Sequence, residues 1–201
     1  MSKIDNLIQE LCPDGVEYKK IKDVCILKRG KVITKKNSTE GLIPVISGGQ
    51  KPAYFIDQYN HNGPTVTVAG SGAYAGYVQF WSEPIWVGDA FSIDSRDFSI
   101  LNIRYLYHFL LKNQRMIYGF KRGSGVPHVK PADLESVKIP VPPIEVQEEI
   151  VRVLDSFAEL EAELEAELEA ELEARRRQYA YYRDQLLTFN KPEIERERAS
   201  K

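Results

Sequence analysis

Between Glu145 and Phe189 the chain runs without a Gly or a Pro, and at its centre the tetrapeptide Ala-Glu-Leu-Glu is written four times in succession, from Ala158 to Glu173. A stretch that long, free of breakers and rich in good helix formers, predicts one continuous helix. It follows Ile139-Pro140-Val141-Pro142-Pro143, a run that cannot be helical. Pro143 suits a first helical turn, where its missing N–H would have no partner, and Glu145, Glu148 and Glu149 suit the positive end of the helix dipole. At about 1.5 Å per residue such a helix is on the order of 65 Å long.

Its apolar residues are Ile150, Leu154, Phe157, Leu160, Leu164, Leu168, Leu172, Tyr179, Tyr182, Leu186 and Phe189, and their spacing predicts one stripe. Four residues turn about 400°, so each successive Leu of the repeat drifts about 40° around the axis until the later steps correct it. Glu four residues from Glu repels its neighbour and favours no isolated helix. A partner helix covering the stripe is therefore expected, with Leu154, Phe157, Leu160, Leu164, Leu168, Leu172, Tyr179, Tyr182 and Leu186 as the pairing residues. A parallel copy would set the Glu run beside itself. An antiparallel copy crossing near Leu168 brings Arg175, Arg176, Arg177 and Arg183 towards it, so the pair is predicted antiparallel.

Net charge is −2, but its distribution says more than its sum. Residues 1–144 carry 18 Lys and Arg against 13 Asp and Glu, residues 145–174 carry 1 against 12, and residues 175–201 carry 8 against 4. A mildly basic globular part joined to an acidic rod is compatible with phosphate contact by the former. Cys12 and Cys25 have no partners at metal-binding spacing and suggest neither a disulfide framework nor a zinc site. No window approaches a membrane span, and the opening residues lack an apolar core after a basic start, so a cytoplasmic protein without membrane contact is expected.

Before the rod, Gly and Pro punctuate the sequence throughout, which predicts an α+β class: a strand-rich globular domain over residues 1–142, a long coiled-coil helix over 143–190 and a tail over 191–201. Strands are expected at Ile43–Ile46, Thr65–Ala69 and Tyr77–Trp81, and one helix from Asn102 to Tyr118. Several loops could meet a polyanion. Ser47-Gly48-Gly49-Gln50-Lys51 and Gly70-Ser71-Gly72-Ala73-Tyr74 follow strands, and their glycines would let backbone N–H groups approach phosphate or would equally serve tight turns. Lys121, Arg122, Ser124, His128 and Lys130 combine cations, a hydroxyl and an imidazole in one stretch suited to phosphates and base edges. With Lys31 and Tyr54 these complete the DNA-binding candidates Lys31, Ser47, Gln50, Lys51, Tyr54, Ser71, Tyr74, Lys121, Arg122, Ser124, His128 and Lys130. Solvated basic loops and tyrosines packed as core are the plainer readings, and no metal site is expected.

In order and wording several blocks resemble one half of the specificity subunit of type I restriction-modification systems. They are Leu11-Cys12-Pro13-Asp14-Gly15-Val16-Glu17-Tyr18, Ile43 to Gly49, Gly70 to Trp81, Arg104-Tyr105-Leu106-Tyr107 and Gly123 to Val129. The ending is the most specific: Ile139 to Pro143 with Gln147 and Ile150, the Glu-Leu repeats, and Gln178-Tyr179-Ala180-Tyr181-Tyr182-Arg183-Asp184 to Phe189. The resemblance runs over roughly residues 11–189. It implies a target recognition domain that reads about half of a split target in double-stranded DNA, followed by a helix that sets the distance to the other half. It implies no catalysis and no cofactor in this chain. S-adenosylmethionine is expected on a methyltransferase subunit, and ATP and Mg on a restriction/translocase subunit. Neither an Asn-Pro-Pro-Phe motif nor a Walker lysine loop is present. The usual subunit has two recognition domains and two helices, so the second half is expected from another copy, as a homodimer reading an interrupted palindrome. Two other classes remain open at this point: an oligomerising protein-binding adaptor built on the coiled coil, and a solitary enzyme using His128.

Overall fold

The alternation Thr65-Val66-Thr67-Val68 sends apolar side chains to one side of a strand and hydroxyls to the other. The computed structural model, which describes residues 3–189, builds its main sheet around that strand. In chain order the elements are α1 (Lys3–Leu11), β1 (Tyr18–Lys20), α2 (Ile21–Val24), β2 (Cys25–Arg29), a 3-10 turn (Lys35–Asn37), β3 (Ile43–Ile46), β4 (Phe55–Ile56), β5 (Thr65–Ala69) and β6 (Val78–Trp81). There follow β7 (Trp86–Val87), β8 (Ala90–Ser95), α3 (Ile103–Lys112), α4 (Gln114–Tyr118), α5 (Pro131–Glu135), β9 (Lys138–Pro140) and α6 (Ile144–Leu186). The class is α+β. The main sheet is antiparallel in the order β2-β8-β5-β6, a smaller mixed sheet runs β4-β3-β7, and β1 pairs with β9 as a separate ribbon.

Register fixes what each face of the main sheet does. Val66 lies opposite Ile93 and Phe80, and Val68 opposite Phe91 and Val78, so one face is apolar. It packs against Ile103, Leu106 and Leu110 of α3 together with Ile117, Leu134 and Ile139 in the principal core. Two smaller clusters, Ile46, Ile85, Val87 and Ala90, and Val45, Ile56 and Trp86, hold the second sheet.

The opposite face is polar and yet buried, so its groups require partners. Trp81 Nε1 donates to Thr67 Oγ1 at 2.9 Å. The Asp94 carboxylate accepts from His61 Nε2 at 2.8 Å, Thr65 Oγ1 at 2.6 Å and Ser92 Oγ at 3.3 Å. Burial alone would raise the Asp94 carboxyl, but those hydrogen bonds and the His61 charge outweigh it and hold the group below its ordinary value. A carboxyl depressed on folding adds stability above its unfolded pKa of about 4, and that stability is lost as pH falls through the lower folded value. Asp94→Asn is therefore expected to cost about 1–3 kcal/mol at neutral pH. It should also flatten the acid limb of a thermal-melting profile taken from pH 6 to pH 2. A variant with the same acid limb as wild type would refute this role.

The helix expected across residues 102–118 is two helices, α3 and α4, broken at Asn113. The Asn113 backbone N–H is shared between the carbonyls of Phe109 (3.2 Å) and Leu110 (3.1 Å), while its side-chain amide donates to Phe109 O at 2.7 Å. Gln114 then turns away, donating to Gly76 O at 2.7 Å and accepting from Val78 N at 3.0 Å. A short polar side chain competing for helix carbonyls thus ends α3 without a Gly or Pro.

The chain divides into two compact units, residues 1–154 and 155–201. The first turns of α6 belong to the globular unit because Gln147 is fully buried there. Its amide donates to Ile100 O and Pro142 O, each at 2.8 Å, and accepts from Asn102 N at 2.9 Å. Glu149 pairs with Lys3 (2.8 Å) and Arg152 (2.6 Å), and hydrogen bonds from Arg152 and then Lys3 hold its carboxyl down to about 2. In the second unit α6 continues to Leu186, with Glu171–Arg175 (3.4 Å) and Glu173–Arg177 pairs along its surface. Phe157, Leu160, Leu164, Leu168, Leu172, Tyr179, Tyr182 and Leu186 are between 51% and 72% exposed. The tail assigned to residues 191–201 lies outside the described residues. No described helix is long and apolar enough to cross a membrane.

Candidate nucleic-acid interface

Three loops far apart in sequence meet beyond the ends of β3, β5 and α4. The approach of the first two is backbone against backbone: a Cβ on Gly48 would stand 2.4 Å from the carbonyl oxygen of Ser71, so the position admits no side chain. The second and third are tied by hydrogen bonds, Gly72 N to Pro127 O and Val129 N to Gly70 O, each at 3.0 Å. The third folds on itself as Arg122 and His128 exchange both backbone bonds, at 3.0 and 2.8 Å, around a turn whose Gly123 has φ +115°. Two side chains brace the cluster. Lys121 Nζ donates to Ala73 O at 2.9 Å, and Gln79 Nε2 donates to Gln50 O at 2.7 Å.

The sequence candidates distribute unevenly over this geometry. Ser47, Gln50, Lys51, Ser71, Tyr74, Lys121, Arg122, Ser124, His128 and Lys130 all lie on the three loops or at their ends. Gln50, Lys51, Tyr74, Arg122, Ser124, His128 and Lys130 are exposed. Some carry structural duties as well. Arg122 lies 3.2 Å from Asp133, and that carboxylate also accepts from the Lys130 backbone N–H at 2.8 Å to open α5. Lys31 and Tyr54 belong to the second sheet: the Lys31 carbonyl accepts from Trp86 Nε1 at 2.7 Å, and the Tyr54 hydroxyl donates to Ile33 O at 2.6 Å. Lys35 stands over the Tyr54 ring at 5.6 Å. Tyr54 is therefore engaged in holding its own sheet.

Two residues escaped the sequence reading. Arg29, exposed at the end of β2, and Asp89, in the turn between β7 and β8, line one small cleft with Gly70, His128, Val129 and Lys130. Gly70 N donates to Asp89 O at 3.0 Å, and the Ser71 hydroxyl donates to the Asp89 carboxylate. Only the adjoining Gly88-Asp89 and Arg29-Gly30 pairs hinted at turns there; their meeting is a product of the fold. The Ser71 hydroxyl is committed to Asp89 rather than to His128.

Amide-rich turns, hydroxyls and cations gathered on one surface suit contact with a polyanion, the cations and N–H groups with phosphate and the polar side chains with base edges. The chain has relatives among both curated proteins and solved structures. Among curated proteins it is 34% identical over 184 residues to a type I restriction enzyme specificity subunit of Haemophilus influenzae, covering 87% of this chain and 47% of that one. It is 33% identical over 181 residues to a type I specificity subunit of Mycoplasma pneumoniae, covering 84% and 46%. The chain thus spans about half the length of these relatives. Among solved structures, the S subunit of a type I restriction-modification system from M. genitalium superposes with a TM-score of 0.65 at 24% identity, over 72% of this chain and 40% of that one. The HsdS subunit from Thermoanaerobacter tengcongensis gives 0.61 at 20% identity, over 90% and 49%. These likenesses establish the fold. The family model for the type I restriction modification DNA specificity domain matches residues 13–174, taking in all three loops and the four repeats, and on that match the chain belongs to the type I restriction-modification specificity subunits.

Proposed function

We propose that this chain is a non-catalytic DNA-reading subunit whose three-loop face contacts one half of a bipartite target in double-stranded DNA. Two copies pair through α6 in antiparallel orientation and read an interrupted palindrome. They direct a methyltransferase subunit, and through it a restriction/translocase subunit, to that target. The observation that carries the DNA reading is the convergence of loops 47–51, 70–74 and 121–130, which gathers the exposed Lys51, Arg122, Ser124, His128 and Lys130. The uncovered stripe of α6 carries the pairing, because a run of side chains at least half exposed over seven or more turns has no reason to stay in water.

Binding to a duplex should fall steeply with salt, since each neutralised phosphate contributes about 0.9 to the slope of log affinity against log salt. Replacing Lys121, Arg122 and Lys130 together by Ala is expected to lower that slope by roughly two to three and to weaken binding to all sequences alike. Fluorescence anisotropy across a salt series measures both. The bases themselves are found by mapping methylated adenines in DNA from cells carrying this chain and its methyltransferase. Methylation scattered without a two-part consensus would defeat the reading.

A further inference from the structure

An interface built for phosphate has little use for a carboxylate, yet Asp89 stands within it. Two acidic side chains reach this region among the described residues. Asp133 is accounted for by its ion pair with Arg122 and its hydrogen bond to the Lys130 backbone. Asp89 is half-buried and makes no ion pair among the described residues, although Arg29, His128 and Lys130 line the same cleft. Its partner is the Ser71 hydroxyl, which donates to Oδ2 and fixes the carboxylate's orientation. Oδ1 accepts no hydrogen bond from the described residues and is not sealed from solvent. The result is a preorganised acceptor with a full charge and one open side, at the point where loops 70–74 and 121–130 are zipped together.

We propose that Asp89 is a specificity-determining residue: its carboxylate disfavours phosphate in the cleft and accepts a hydrogen bond from an exocyclic amino group on a base edge. This rests on the DNA-reading function above and names the chemistry of one of its contacts. Carboxylates pair with the amino group of cytosine in the major groove, where donors and acceptors distinguish the base pairs, and the amino group of adenine is the other donor available there. The cleft is small, about 40 Å³, with room for an amino group or a bridging water. Electrostatics acts in the same direction. Non-specific binding is nearly all phosphate contact, so a fixed negative charge weakens it, whereas a complex that places an amino group on the carboxylate is spared that penalty.

The test uses the full chain with its methyltransferase and two duplex pools, random sequence and the sequence that wild type selects. Asp89→Asn keeps the volume and the bond from Ser71, but it removes the charge and turns an amide N–H₂ towards the cleft. Its affinity for random duplex should rise on the order of ten-fold, and its preference at one or two base pairs should move away from an amino-bearing edge. Ser71→Ala keeps the charge and frees its orientation, so preference at the same positions should relax while random-duplex affinity stays put. Asp89→Glu serves where the Asn variant fails to fold, shifting the preference and leaving random-duplex affinity unchanged. Variants that keep the wild-type base preferences, or that lose affinity equally for both pools, would overturn the assignment. A wild-type complex that binds both pools equally would instead defeat the DNA-reading function itself.

Discussion

With Leu164, Leu168 and Leu172 all changed to Lys, the protein should sediment as a monomer at micromolar concentrations, where wild type should sediment as a dimer. Each of these leucines is 51% to 58% exposed in the single chain. Burying a leucine fully is worth roughly 1.5–3 kcal/mol, so half-exposed ones in both chains contribute on the order of 5 kcal/mol or more to association. Three buried ammonium groups per chain would add a larger penalty for desolvation. The dissociation constant should therefore rise by at least about 10⁴-fold. The substitutions do not act by breaking the helix. Lys is a good helix former, and at position 164 it would lie three residues from Glu161 and from Glu167, where opposite charges attract. Circular dichroism should show helix content retained while the assembly is lost. DNA binding should also divide: affinity for a two-part site should fall by orders of magnitude, and the salt-sensitive binding of a single loop face should persist. A wild-type protein that stays monomeric, or a variant that stays dimeric, would remove the basis for a paired rod.

Orientation has its own measurement within the same design. Crossing near Leu168 sets residue 159 of one copy beside residue 177 of the other, Glu against Arg. Cysteines placed at 159 and 177 in separately tagged chains should form the mixed disulfide and not the 159–159 pair. Parallel chains would give the reverse, with twelve acidic residues per chain between 145 and 174 set alongside their copies. Cys12 and Cys25 are buried and offer little competition.

The rod could be read from the sequence because its cause is local. A four-residue repeat without breakers specifies helix and stripe from within, and α6 runs from Ile144 to Leu186 much as the Pro143 and Phe189 limits suggest. The strands β3, β5 and β6 were equally legible, since alternation and flanking glycines announce them. The break at Asn113 was not, because it depends on Gln114 reaching Gly76 and Val78 across the core. The loop face lies between these cases. Gly48, Ser71 and His128 each stood out as loop residues, but their meeting depends on how two separate sheets pack, which sets the loop after β3 against the loop after β5. Asp89 and Arg29 stood out in no local pattern. A charged residue in a short turn carries no signal until its neighbours from other strands are known.

Deleting one Ala-Glu-Leu-Glu unit is expected to shorten the spacer of the DNA target by about two base pairs. Each unit adds about 6 Å of helix, and two steps of a duplex at about 3.4 Å each span nearly the same length. In an antiparallel pair, removing one unit from both chains moves the two reading faces together by that single increment, because the crossing point shifts with the repeat. Rotation agrees only in part. The deleted unit takes away one helical turn plus about 40°, while two base pairs turn the duplex by about 70°. The remaining ~30° must be absorbed by twist in the DNA or by bending of the rod, and modest duplex distortion of that kind costs a few kcal/mol at most. Wild-type protein and the three-repeat variant should thus select the same half-sites at different separations, each discriminating against the other's spacer by about ten-fold or more. Selection from duplexes with randomised centres of four to twelve base pairs, scored by methylation, reads the half-sites and the spacer at once. Changed half-sites with an unchanged spacer would mean that α6 sets no distance. An unchanged target in every respect would mean that the repeats lie outside the path between the two reading faces.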